Sequence, residues 1–285
     1  MTVCIAARCK DKAKGDPAIV TVSDTKLSTG HYSGDMATLK LRHIRDNWKC
    51  LIAGTFPHHV PLLKRIGDAI GDDAGYDQIV KVCTDAFIAE NKKLAEETIL
   101  ATFGLTLKQF LKSRSDLGES LYERTWAEIS RIKVNCQLLV CGFDPEPHIF
   151  VTENPGGDKL GFITNCDFPG FAAIGSGSYL AESKLYELHQ NPARSVVETL
   201  YTTILAKFVA EAATDVGEET YVRVFTKGGE IEIDNTFTFV EELRDRWKQH
   251  ASYKIPEDAE AIILRHVKTA SGIKPSTSQK SASAQ

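Results

Sequence analysis

Thr2 stands directly behind Met1 and ahead of a strand-like run, Val3-Cys4-Ile5-Ala6-Ala7-Arg8-Cys9. Threonine is small enough for an initiator methionine to be removed, so the mature chain is expected to begin with a threonine bearing a free α-amine. Such an amine has a pKa of about 7.7–8.0 and can serve as a base at neutral pH. A hydroxyl and a base on one residue make a nucleophile with its own activator, suited to acyl transfer through a covalent ester. A chain can also begin Met-Thr by chance, so the rest of a site has to be sought downstream.

Ala18-Ile19-Val20-Thr21-Val22-Ser23 reads as a buried strand of mostly β-branched residues, ending at Asp24. Lys40 follows sixteen positions after Asp24, and Gly54 fourteen after Lys40. In this order and spacing the chain resembles the catalytic β-subunits of the 20S proteasome and their bacterial relatives. That family has an N-terminal Thr, an Asp, a Lys and an oxyanion-hole Gly. Three later stretches carry the resemblance on to roughly residue 235. Leu138-Leu139-Val140-Cys141-Gly142-Phe143-Asp144 is similar to a family strand and turn. Pro147-His148-Ile149-Phe150, with the Gly156-Gly157 turn, is similar to the hairpin that follows it. Ala173-Ile174-Gly175-Ser176-Gly177-Ser178 is similar to the family's loop before a helix.

The resemblance implies a role for each residue. Thr2 would attack a peptide carbonyl, its α-amine taking the hydroxyl proton, directly or through a water, and returning it to the leaving amine. Lys40 would lower the pKa of the Thr2 hydroxyl or amine by its charge. Asp24 would pair with Lys40 and keep it charged and oriented. Gly54 would offer its backbone N–H to the developing oxyanion. Ser176 would orient the amine or a water. Asp215 would be an acid behind the site, although Ala213-Thr214-Asp215-Val216-Gly217 lacks the Ser-Gly-Gly that the family has there. Leu27, Thr38, Ile52 and Phe56 match positions lining the family's primary specificity pocket, and a pocket so lined favours hydrophobic P1 residues. Each residue has a plainer reading as well: a strand-end turn for Asp24, an edge-strand charge for Lys40, a bend for Gly54, a helix-terminal turn for Asp215 and core packing for the pocket residues.

The implied activity is a cofactor-free threonine-type endopeptidase of the N-terminal-nucleophile class. It would act in the cytoplasm on peptides or unfolded proteins inside a homo-oligomeric ring, with an ATPase unfoldase as a candidate partner. Two rivals differ in class. An N-terminal-nucleophile amidohydrolase acting on a small amide is disfavoured by the presence of Lys40 and Ser176. A non-catalytic structural subunit would be expected to lack Thr2, Asp24 or Lys40. The chain also departs from the family. Thr2 to Asp24 is a longer first hairpin than usual, no long propeptide precedes Thr2, and residues 101–131 and the C-terminal part exceed a minimal β-subunit.

Composition bounds these readings. In 285 residues the net charge is -4, without a dense Lys/Arg stripe, so no nucleic-acid footprint is seen. The longest apolar runs are strand-length, too short for a membrane-spanning helix, and no secretory signal pattern is present. The seven cysteines are scattered without a C-x-x-C pair, and the eight histidines have no metal spacing, so no metal site is expected. His58-His59 reads as the exposed start of a helix. Together these favour a reducing cytoplasm.

The elements that must position such a site follow from periodicity. Strands are expected at residues 3–9, 18–23, 39–44, 48–53, 134–140, 148–152, 161–165, 221–226 and 231–233. Helices are expected from Pro57 through Ile70, Tyr76 to Leu100, near Ser178, and from an Asn191-Pro192 cap to about Ala213. That order suits an α+β fold, a four-layer αββα sandwich of two stacked antiparallel sheets flanked by helix pairs. Residues 2–235 would form this domain, 236–267 a helical extension carrying Phe239, Leu243 and Trp247, and 268–285 a disordered Ser-rich tail.

Overall fold

The computed structural model describes residues 2–250, apart from 12–14, 30–31, 36–39, 46, 72, 156–160, 215, 232 and 234–235. The Ser-rich tail, the end of the helical extension and the Gly156-Gly157 turn lie outside the described residues. The chain divides into a compact unit, Met1–Arg244, and a second unit from Asp245 onward, in which the described residues are the end of one helix.

Among the described residues, two antiparallel five-stranded sheets and eight α-helices make an α+β sandwich. One sheet runs in the order β10 (Phe171–Ile174), β1 (Cys4–Lys10), β2 (Pro17–Asp24), β11 (Thr220–Thr226) and β12 (Gly229–Ile231). The other runs β5 (Leu41–Arg45), β6 (Trp48–Gly54), β7 (Cys136–Asp144), β8 (Glu146–Glu153) and β9 (Ile163–Asn165). A separate ribbon, β3 (Lys26–Thr29) and β4 (Tyr32–Asp35), was not foreseen; its Lys-Leu-Ser-Thr and Tyr-Ser-Gly-Asp segments lack an apolar run.

The central strands are buried on both faces, which is why they read as unbroken apolar runs instead of alternating ones. On β6, Trp48, Cys50 and Ile52 pack against α1 (Phe56–Ala69) and α2 (Tyr76–Thr98), with Leu62, Ile66, Ile79, Cys83 and Phe87 opposite. Leu51 and Ala53 turn the other way and meet Cys4, Ala6, Ile19, Leu139, Cys141 and Ile174 between the two sheets. This two-residue alternation assigns each side chain to one layer. Val60 on α1 is exposed, because the buried stripe runs through Leu62, Ile66 and Ile70.

Residues 100–129 continue from α2 as a 3₁₀ turn (Leu100–Phe103) and three short helices, α3 (Leu107–Phe110), α4 (Arg114–Leu117) and α5 (Glu119–Ile129). They close a small core of their own around Ala95, Leu100, Phe110 and Ile129, with Tyr122 stacked on Phe110. On the other sheet lie α6 (Ser178–Glu187) and α7 (Val196–Ala210), followed after β12 by α8 (Thr236–His250). The expected Asn191-Pro192 cap is corrected: α7 begins at Val196, capped by Ser195. Its hydroxyl accepts from the Glu198 N–H at 3.2 Å, while the Glu198 carboxylate accepts from the Ser195 N–H at 2.9 Å. Asn191 instead turns the chain, its Oδ1 accepting from the Ala193 N–H at 3.0 Å. All seven cysteines are buried, packing as small hydrophobes.

Because α7 packs on β1 and β2, its cap bears on the strands that carry the candidate site. Ser195→Ala is expected to cost about 1 kcal/mol and lower the melting temperature by about 2–4 °C in a calorimetric scan. An unchanged transition would show that the capping box does not contribute.

Candidate active site

Five of the six residues singled out for chemistry lie at element ends. Thr2 precedes β1, Asp24 ends β2, Lys40 precedes β5, Gly54 ends β6, and Ser176 lies in the turn from β10 to α6. The β1–β2 register, Cys4 opposite Ser23, puts the start of one strand beside the end of the other. Antiparallel pairing of β10 with β1, Ile174 opposite Cys4, brings the Gly175-Ser176-Gly177 turn to the same place.

The Asp24 carboxylate organises the site and has no solvent exposure. Its Oδ1 accepts from Lys40 Nζ at 2.6 Å, from the Val3 N–H at 2.9 Å and from the Thr2 hydroxyl. Its Oδ2 accepts from the Gly217 N–H at 3.2 Å. Lys40 Nζ also donates to Thr2 Oγ1. The Thr2 oxygen is therefore bonded to both members of a buried ion pair, a setting in which an adjacent ammonium favours a developing alkoxide. The Thr2 nitrogen lies 3.2 Å from Ser176 Oγ, and the Thr2 carbonyl accepts from the Gly177 N–H at 3.2 Å.

Two glycines are required by geometry. Gly175 has φ +93° and lies so close to Thr2 that a Cβ would run into the Thr2 carbonyl. Its N–H is held by Gln137 Oε1 at 3.0 Å. Gly54 has φ +115°, where a Cβ would run into the backbone of Asn135. Neither backbone conformation suits a residue with a side chain.

The neighbouring Cys4 could compete as a nucleophile, since its Sγ lies 3.5 Å from the Ile52 carbonyl oxygen, near the same strand end. Burial pushes its thiol up to about 12, with Lys40 only partly opposing. It stays protonated, and a protonated thiol is not the reactive form.

Several contributors were missed in the sequence. The Thr55 N–H donates to the Asn135 carbonyl at 2.8 Å, and Asn135 Nδ2 donates to Thr55 Oγ1 at 2.9 Å. The Asn135 N–H donates to His58 Nδ1 at 3.0 Å. His59, half-buried, has its pKa lowered by burial, against a hydrogen bond with the Gly54 backbone. The His58-His59 pair, expected to be mere surface, thus brackets Gly54 together with Asn135. Gln137 and Gly217 were missed because their roles pass through backbone groups that side-chain types do not reveal.

Asp215 and Thr38 lie outside the described residues. Leu27 and Phe56 are described in backbone only. Ile52 packs in the core between β6 and the α1–α2 layer. Among the described residues, no group of three or more His, Cys, Asp or Glu is placed to hold a metal ion, and no helix is long and apolar enough to cross a membrane.

Removing the Lys40 ammonium while leaving Asp24 would strand a buried carboxylate. Lys40→Met is expected to lower stability by about 3–5 kcal/mol in urea denaturation. Adding Asp24→Asn should recover part of that loss; equal costs for the single and double variants would contradict a coupled pair.

No protein-family model matches the chain, and no curated protein matches it. Among solved structures it is similar to the Anbu (Gly-1) mutant from Hyphomicrobium sp. strain MC1, at 13% identity and a TM-score of 0.56, with 94% of this chain and 99% of that chain covered. At that identity the likeness is one of fold alone, and what the chain has is a distant proteasome-like fold.

Proposed function

We propose that this chain is a threonine-type peptidase whose nucleophile is Thr2. The observation that carries the reading is the Thr2 hydroxyl, bonded at once to Lys40 and to Asp24 inside a site with little solvent access. A buried ion pair is costly to desolvate, so a pair built around one hydroxyl is better accounted for by chemistry than by stability.

Once the residues ahead of Thr2 are removed, its nitrogen becomes an amine facing Ser176 Oγ. Oγ1 then attacks the scissile carbonyl carbon while its proton passes to that amine. The carbonyl oxygen becomes an oxyanion and accepts the Gly54 N–H. The tetrahedral adduct collapses, the C–N bond breaks, and the amine returns the proton to the leaving nitrogen. Water repeats the sequence on the Thr2 ester and frees the acid. Lys40, paired with Asp24, stays placed beside Oγ1 throughout. Gly54 at its positive φ, with the adjoining peptide held by Asn135 and His59, keeps that donor preorganised.

The setting proposed for this chemistry is a homo-oligomeric ring enclosing its sites and acting on peptides or unfolded proteins with apolar P1 residues. Light scattering tests the ring. Turnover of a Leu- or Tyr-P1 peptide in preference to an Arg-P1 peptide tests the pocket, and the opposite preference would sink it.

A peptide epoxyketone tests the nucleophile. It closes its ring adduct only on a residue that offers both a hydroxyl and a free amine. Intact mass is expected to show a chain starting at Thr2 plus one inhibitor, with no adduct on Thr2→Ala and an undiminished one on Cys4→Ala. A wild-type chain starting at Thr2 that gains no mass would refute the reading.

A further inference from the structure

The helix α8 exceeds what the sandwich needs, yet one of its side chains is buried and aimed at the back of the site. Arg244 is 5% exposed. Its Nη1 donates to Glu211 Oε2 at 2.6 Å and its Nη2 to Glu211 Oε1 at 2.9 Å, a two-point grip beyond the end of α7. The same Nη2 donates to the Glu218 carbonyl at 2.8 Å, and the guanidinium lies over the Phe208 ring at 4.2 Å. Lys207, with no solvent exposure, reaches the same two groups: Glu211 Oε1, and the Glu218 carbonyl at 2.5 Å. Two buried cations thus converge on one backbone carbonyl, sharing the Glu211 carboxylate, while Arg244 Nε also donates to Glu241 Oε1 at 3.2 Å.

That carbonyl belongs to the residue after Gly217, whose N–H is the donor on Asp24 Oδ2 at 3.2 Å. Glu219 continues the segment and is tied to the residue after β2 by the Thr25 hydroxyl, which donates to Glu219 Oε2 at 2.8 Å. Residues 217–219 are therefore pinned by Asp24 on one side, Thr25 on another, and Lys207 with Arg244 from below. Of the two cations, Arg244 has the geometry for a bidentate carboxylate grip plus a third acceptor, which an ammonium does not match. Burial also pulls Lys207 down to about 8, with Glu211 opposing, so the guanidinium is the charge that persists as pH rises.

We propose that Arg244 is a positioning residue for the reaction: by clamping Glu211 and the Glu218 carbonyl it holds the Gly217 N–H on Asp24, and so keeps Asp24 turned toward Lys40 and Thr2. For its kinetic consequence this rests on the threonine-peptidase reading; the clamp itself does not. Its contacts are with Glu211, Glu218, Glu241 and Phe208, behind Asp24, so it should affect the chemical step rather than inhibitor recognition.

The test is epoxyketone capture by the full chain, resolved into the maximal inactivation rate and the half-saturating concentration, with amide hydrogen exchange at Gly217 beside it. Arg244→Met is expected to lower the maximal rate by about 10- to 100-fold, with the half-saturating concentration little changed, as for displacement of a reacting group by a remote change. Gly217 should exchange faster. Arg246→Met removes the same charge from an exposed position two residues on in α8 and should leave both readings as in the wild type. Arg244→Lys keeps a charge for Glu211 but loses the fork, and should fall between; it decides the matter if Arg244→Met does not fold. A folded Arg244 variant with wild-type maximal rate and wild-type Gly217 protection would overturn the proposal. If the wild type itself gains no adduct, the peptidase reading falls, and Gly217 exchange alone then decides whether the clamp exists.

Discussion

A carboxylate with no solvent exposure has to receive its hydrogen bonds from the protein, and the site depends on how Asp24 meets that demand. Its two oxygens take donors from the chain around Thr2 and Val3, from the segment before β5 and from the segment before β11. Those segments are far apart in sequence and meet only if both sheets have formed and stacked. An uncompensated buried carboxylate costs several kcal/mol, so the ion pair with Lys40 and the docking of the Gly217 segment are coupled to the fold itself. The group that orders the candidate site is also one that penalises misassembly.

The sandwich suits such a site because antiparallel pairing returns strand ends to a common edge. Thr2, Asp24 and Ser176 come from the ends of adjacent strands in one sheet. Lys40 and Gly54 come from the facing sheet, where β5 and β6 are paired through Leu41 and Leu51. Close approach there leaves no room for side chains, and Gly175 against Thr2 and Gly54 against Asn135 are the two positions where the backbone itself is the contact surface. Around Gly54, Asn135, His58 and His59 fix the adjoining peptide by hydrogen bonds that no pattern of apolar residues announces.

Support for Asp24 extends to the third layer. Arg244 and Lys207 join α8 and α7 to the strand-end segment that touches the carboxylate from behind. The grouping is polar and nearly closed to solvent, a setting in which each member is costly to remove because the others lose their partners. The helical part beyond β12 is, on this account, continuous with the machinery of the sandwich up to Arg244.

The sequence by itself determined most of the strands and the long helices, the αββα layering, and the order and spacing of Thr2, Asp24, Lys40 and Gly54, but not β10, the β3–β4 ribbon or the short helices α3 to α5. These are recorded in local periodicity and in spacing, and both follow from backbone geometry. The strand runs read clearly because both faces are buried, while the β3–β4 ribbon escaped notice because its Lys-Leu-Ser-Thr and Tyr-Ser-Gly-Asp sequences lack an apolar run. The cap of α7 was misread: Asn191-Pro192 and Ser195 both carry capping chemistry, and only the packed chain decides which one meets a free N–H. Tertiary structure alone decided that Gly217, Gln137, Asn135 and the histidine pair belong to the site, and that Arg244 stands behind it. Most of their contributions are hydrogen bonds between backbone and side-chain groups far apart in the chain, from 26 positions for Arg244 and the Glu218 carbonyl to 193 for Gly217 and Asp24, and such contacts leave no periodic trace in the chain.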